Sequence, residues 1–198
     1  MSYSLLVFLG GLLVIAVWAI MVYNRLVLRR NEMDNAFAQI DVQLKRRHDL
    51  VPNLVSTARG YLQHERQTLE AITVARGRAS QAREAASAGG GRPELLEALD
   101  RAESGLASAL GKFTLIVEAY PELKADGTIA QLTEELTSTE NRIGFSRQAF
   151  NDAVNLYNDS IGQFPDSLVA GACGFARAGF LRSTRSEAER EPVLVQLT

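Results

Sequence analysis

Chemically versatile side chains are scarce: the 198 residues include one cysteine, two histidines and one tryptophan. The lone thiol, Cys173, cannot close an internal disulfide, which is compatible with a reducing compartment. Metal chemistry has little to work with. A di-iron carboxylate bundle needs Glu-x-x-His on two helices, and neither His48 nor His64 has a glutamate three residues earlier. His64-Glu65 does not extend to His-Glu-x-x-His. The phosphate-cradling Gly-x-x-x-x-Gly-Lys-Ser/Thr loop and the Gly-x-Ser-x-Gly nucleophile elbow are missing as well. Alternating β-branched runs, the mark of strands, do not occur. Nor is there an excess of positive charge, since 21 basic and 23 acidic residues leave a net charge of −2. Arg76-Gly77-Arg78 and Arg83 have no aromatics among them, so nucleic acid is not an expected partner. These absences point to an all-α chain with no catalytic residues, no metal and no cofactor.

What is present is unevenly spread. Residues 1–24 hold 19 apolar side chains and none of the 44 charged ones. From Leu5 to Val22, eighteen successive residues carry no charge, hydroxyl or amide, and twelve of them are Leu, Ile, Val or Phe. As a helix, the charge-free stretch Ser2–Asn24 spans roughly 34 Å at ~1.5 Å per residue, enough for a hydrocarbon core of ~30 Å. Twelve such side chains, at about −0.3 to −0.6 kcal/mol each, favour insertion by roughly 4–7 kcal/mol. A cleaved secretory signal would need a basic start, a shorter apolar core and a small-x-small site, and none is clear here. Trp18 and Tyr23 suit the interfacial belt, and Arg25, Arg29 and Arg30 follow at once. With no Lys or Arg before the span, the positive-inside bias puts residues 25–198 in the cytoplasm.

Beyond the anchor the dominant signal is 3-4 spacing. One stripe runs Met33, Phe37, Ile40, Leu44, Val51, Leu54, Ala58, interrupted by Arg47. A second runs Leu99, Ala102, Leu106, Ala109, Phe113, Ile116, Tyr120. A third begins at Ile129 and passes Leu132, Leu136, Thr139, Ile143 and Phe150 to Tyr157. A weaker one, Leu69, Ile72, Ala75/Arg76, Ala79, lies between the first two. Gly89-Gly90-Gly91 before Pro93, Pro121 with Asp126-Gly127, and Gln163-Phe164-Pro165 punctuate these stripes. A turn at 60–63 and a kink at Pro52 are also expected. The spacing predicts helices near 3–60, 64–88, 93–120 and 127–164. The expected fold is a transmembrane helix (residues 1–24) continuous with an antiparallel up-and-down four-helix bundle over 25–166. Residues 167–198 form a partly flexible C-terminal extension. Charge favours such packing, with residues 25–92 at net +5 and residues 93–198 at net −7.

Two polar clusters stand out. Lys45-Arg46-Arg47-His48 wraps the first long helix on all sides, so at least one of the four must face inward or touch a neighbour. Headgroup attraction is the less favoured reading, because Lys45 lies about 20 residues past the span, some 30 Å along a straight rod against a ~8–10 Å Debye length. Arg47 is expected to pair with a carboxylate of the acidic half. The other cluster stacks Asn151, Asn155 and Asn158 along one helix flank, where buried amides would set register and exposed ones would offer a docking face. The segment Leu168–Leu181 is expected to dock on the bundle end, with a weak membrane-surface patch as the other reading.

Taken in order, Tyr23-Asn24-Arg25-Leu26, Ile40-Asp41-Val42-Gln43-Leu44-Lys45-Arg46-Arg47, Asp49-Leu50-Val51-Pro52-Asn53-Leu54-Val55 and Leu69-Glu70-Ala71 resemble the LemA family of bacterial membrane proteins. Tyr120-Pro121-Glu122-Leu123-Lys124, Glu140-Asn141-Arg142-Ile143, Phe150-Asn151-Asp152-Ala153-Val154, Phe164-Pro165 and Gly174-Phe175 continue the likeness. Phe150, Leu156 and the Gly89–Gly91 loop depart from the family pattern. The resemblance implies one anchor in the bacterial inner membrane carrying an antiparallel bundle, with no established catalytic residues. It also implies a setting among membrane proteases and envelope-associated proteins, with a magnetosome branch linked to membrane formation. The expected partners are therefore the lipid bilayer, membrane or envelope-associated proteins, and further copies of the chain. The expected function is a non-catalytic scaffold at the cytoplasmic face; the alternative is a membrane-shaping or anionic-lipid-binding protein, and a metal-binding or enzymatic bundle is the least favoured reading. The candidate interaction residues are Asn151, Asn155, Asn158, Arg25, Arg29 and Arg30.

Overall fold

A computed structural model describes residues 2–62 and 64–181, and no strand occurs among the described residues. Those residues form six successive helices: α1 (Ser2–Ala58), α2 (Arg66–Ala88), α3 (Pro93–Ala119), α4 (Pro121–Ala125), α5 (Gly127–Gly162) and α6 (Asp166–Ala172). The four long ones match the spacing-based expectation to within a few residues. Two short helices, α4 and α6, lie where the sequence reading placed only turns and a docking segment. Pro93 and Pro121 each open a helix, where a missing N–H costs nothing. Asp126 caps α5, its carboxylate accepting from the backbone N–H of Thr128 (2.8 Å) and Ile129 (3.0 Å). Those bonds, led by the one from Ile129, hold the Asp126 carboxyl below its usual range. Of the C-terminal extension 167–198, expected to be partly flexible, residues 182–198 lie outside the described ones.

Along α1 the environment changes while the helix does not. Its first five turns are exposed, with Phe8 at 65% and Val14 at 68%. At Val22 an inward stripe begins. Val22, Leu26, Met33, Ile40, Leu44, Arg47, Val51, Leu54 and Ala58 are all buried, and the helix runs unbroken through Pro52.

The pairings show how the other helices lie. Arg25 bonds Asp166, the rings of Phe37 and Phe150 meet edge-on at 5.6 Å, and Arg46 reaches Glu135 at 3.1 Å, so α5 runs antiparallel to α1. Arg83 donates to Asp41 (2.9 Å) and Arg76 to the His48 carbonyl (3.1 Å), so α2 also runs antiparallel to α1. Helix α3 lies along α2. Between α3 and α5 a cleft of about 240 Å³ remains, with Arg47 at its base.

Two apolar clusters fill the interior. One contains Leu26, Ile40, Leu44, Leu99, Ile143 and Phe150. The other contains Val51, Leu54, Ile72, Leu106, Phe113 and Ile129. On α1 the boundary falls between Leu44 and Val51, and on α3 between Leu99 and Leu106. Arg47, His48 and Glu103 occupy that boundary.

Candidate functional site

The boundary layer is made of charge. Arg47 is 2% exposed and donates to Glu103 of α3, itself 1% exposed, and to Glu140 of α5. One guanidinium therefore joins three helices, two of which, α3 and α5, are parted by a cleft beside it. Its planar fork suits this, because it can address two carboxylates at once without losing its charge. Arg147 of α5 faces Asp100 of α3 at 3.6 Å, one helical turn from Glu103. A buried pair of this kind is a weak source of net stability, yet removal of one member leaves an uncompensated charge in the interior.

His48 completes the layer. Its Nε2 lies 2.8 Å from Glu103 Oε1, and a carboxylate can only accept, so the imidazole donates from Nε2–H. Burial first, and then the charges of Arg47, Arg83 and Arg76, push its pKa down to about 4. At neutral pH His48 is thus an uncharged donor among three arginines. The arginines of the layer face carboxylates or a carbonyl. Among the described residues, no group of three or more His, Cys, Asp or Glu is placed to hold a metal ion.

Nearer the exit of the apolar half of α1, the asparagines divide. Asn151 donates to the Leu181 carbonyl (2.7 Å) and accepts from its N–H (3.0 Å). Asn158 does the same at Ala178, at 3.0 and 2.9 Å. Each amide acts as a neighbouring strand would toward the extended chain after α6. The spacing explains the match: seven helical residues rise ~10.5 Å and three extended residues ~10 Å. Tyr157 adds a bond to the Ala176 carbonyl (2.9 Å), and Gly179 N–H donates to Gly91 (3.0 Å). Asn155, between the two clamps, is exposed. The expected docking of Leu168–Leu181 on the helices is what the structure has, with Ala170, Ala178 and Leu181 buried against them.

The three arginines after the span separate too. Arg25 reaches Asp166, and Arg29 pairs with Glu32 at 2.8 Å one turn on. Arg30 is exposed, beside the α2–α3 loop. The sequence reading missed Glu103, Asp100, Asp166 and Arg147. Glu103 was within reach, because it continues the 3-4 spacing between Leu99 and Leu106.

Among the described residues the protein is all-helical, with one helix near the N-terminus long and apolar enough to cross a membrane. The LemA family model matches residues 36–197, and the chain belongs to that family. Magnetosome protein MamQ of Magnetospirillum gryphiswaldense is 27% identical over 176 residues, 81% of this chain and 65% of that protein. Magnetosome protein MamQ 2 of Paramagnetospirillum magneticum is 25% identical over 178 residues, 82% of this chain and 65% of the relative. Protein LemA of Metamycoplasma hominis is 27% identical over 147 residues, 74% of this chain and 63% of the relative. The chain thus spans just under two thirds of the length of these relatives.

Proposed function

We propose that this chain is a membrane-anchored, non-catalytic scaffold. Residues 1–24 cross the bacterial inner membrane once. Residues 25–166 form an antiparallel up-and-down four-helix bundle at the cytoplasmic face, and this bundle docks membrane or envelope-associated proteins or further copies of itself. The observation that carries the reading is the contrast along α1: apolar and largely exposed as far as Met21, then apolar and buried on one stripe. Exposed apolar surface of that length needs a hydrocarbon solvent, and the rigid helix then fixes the packed part at the bilayer surface. The description of MamQ relatives as magnetosome proteins supports a role in an assembly. Full-length protein in mild detergent, taken through light scattering and quantitative cross-linking, is expected to give a homo-oligomer or a stoichiometric complex. A monomer with no partner would contradict the proposal.

Anionic-lipid binding is the second reading. Arg25, Arg29 and Arg30 on the turns after the span favour it, although Arg25 and Arg29 already face carboxylates of the same chain. Salt-sensitive sedimentation with anionic liposomes would raise it above the scaffold.

A further inference from the structure

We propose that the corner joining α5 to α6 is a foot that rests in the membrane interface beside α1, with Phe164 and Leu168 entering the headgroup–acyl boundary. This rests on the reading of residues 1–24 as a membrane span.

Three observations lead there. The first is position. Val22 ends the stretch that carries no charge, hydroxyl or amide, yet it is buried in the same cluster as Ile161 and Ala170, with Trp18, Val169 and Phe175 packed on the edge of that cluster. Tyr23 meets Phe175 edge-on at 5.8 Å. Asp166 is held by Arg25, three residues past Val22 and so ~5 Å further along the axis. The corner therefore stands at the level of the last turns of the span.

The second is charge. Outside residues 1–24, 44 of 174 residues are charged, so a stretch of 17 should hold about four charges. From Ser160 to Ala176 there is one, Asp166, and it is buried and paired to Arg25. That pairing neutralises Asp166, and the next charge along the chain, Arg177, which lies against Gly162 of the corner, is of the sign that phosphate headgroups accept.

The third is what the corner exposes. Phe164 is 81% exposed and Leu168 61%. On α6 the exposed side continues with Gly171 and Ala172, which let a surface approach closely. A water-facing corner gains nothing from such residues. A bilayer already threaded by the adjoining helix covers them, and no second protein is needed. The same arrangement gives the clamped segment after α6 a purpose: Asn158 and Tyr157 tie the far side of the foot to α5, so that the corner cannot swing free of α1.

Two natural probes separate this proposal from the reading beneath it. Trp18 is the only tryptophan and lies in the span, while Cys173 is the only cysteine and is exposed just past α6. The full chain, carrying an environment-sensitive fluorophore on Cys173, is reconstituted into phosphatidylcholine–phosphatidylglycerol vesicles with lipids brominated near the top of the acyl chains. A reference probe sits at the opposite end of the helices, Glu122→Cys in a Cys173→Ala background. The expected result is quenching of Trp18 and of the Cys173 probe, with the reference probe unquenched. Phe164→Ser combined with Leu168→Ser is expected to abolish quenching at Cys173 and to leave Trp18 quenched and the thermal melt unchanged. A quenched Trp18 with an unquenched Cys173 probe overturns the foot and leaves the anchor standing, the corner then facing water or a protein. Undiminished quenching at Cys173 in the double variant also overturns it. An unquenched Trp18 removes the span, and the foot with it.

Discussion

The two halves of α1 are built from one uninterrupted ladder of backbone hydrogen bonds, and they solve opposite problems. The half before Val22 is apolar on every side and meets no protein over most of its length. The half after Val22 is apolar on one stripe only, and that stripe is interrupted by Arg47, the sort of residue the first half rigorously lacks. In the first half, specificity is not needed, because hydrocarbon accepts any apolar face. In the second, several helices must find one register, and an arginine buried between Glu103 and Glu140 penalises alignments that part it from them. We offer this registry role as the reason that an ion cluster sits where leucine would contribute more stability.

Changes within the cluster should therefore act on the packed half alone and be the largest. Arg47→Ala or Glu103→Ala is expected to cost about 3–5 kcal/mol of unfolding free energy, since each strands a buried charge. Chemical denaturation read by circular dichroism checks this, and sedimentation with membranes should be unaltered. An unchanged midpoint would deny the cluster its registry role. The converse change, Val14→Arg, is expected to oppose membrane insertion by about 2.5–3.5 kcal/mol and to leave the melt of the packed helices where it was. Carbonate extraction of membranes reads the first effect and calorimetry the second.

Acid should also discriminate. The unfolded chain protonates His48 below about 6.5, whereas the folded chain holds out to about 4. Between those values the unfolded state binds the extra proton, so stability falls as pH falls, by roughly 1–3 kcal/mol across the window. In His48→Gln, which keeps a donor toward Glu103, the part of the slope between pH 6.5 and 4 due to His48 should vanish. A slope identical to the parent would show that the carboxylates alone produce it. Asn158→Ala is expected to have an effect of comparable size, about 1–3 kcal/mol for the two bonds lost at Ala178. Hydrogen exchange should show the Ala178 amide losing protection first.

Much of the fold was legible because 3.6-residue periodicity is a dense signal over long helices. Ile40, Leu44, Val51, Leu54 and Ala58 were marked inward by spacing alone, and all are buried. In α3 the apolar-only criterion settled on Ala102 and Ala109, which are half-buried, and passed over Glu103 on the true inward seam. A carboxylate is invisible to such a count until its partner is known, and Arg47 lies 56 residues away. The clamping asparagines were visible as a stacked flank, but their partner is an extended segment without periodicity. Asn155 shares the spacing and makes no such clamp, so the flank could not be divided without the fold. Helices α4 and α6, of 5 and 7 residues, are too short to show a repeat.

The central claim is that α1 crosses a membrane and holds the packed helices on its cytoplasmic side. It is tested most directly by labelling Lys112→Cys, in a Cys173→Ala background, with a membrane-impermeant maleimide. Lys112 is exposed on α3, well beyond the span. The expected result is no labelling in intact bacterial spheroplasts, full labelling after lysis, and a protein that stays with the membrane through carbonate extraction. Labelling of intact spheroplasts, or release by carbonate, would contradict it.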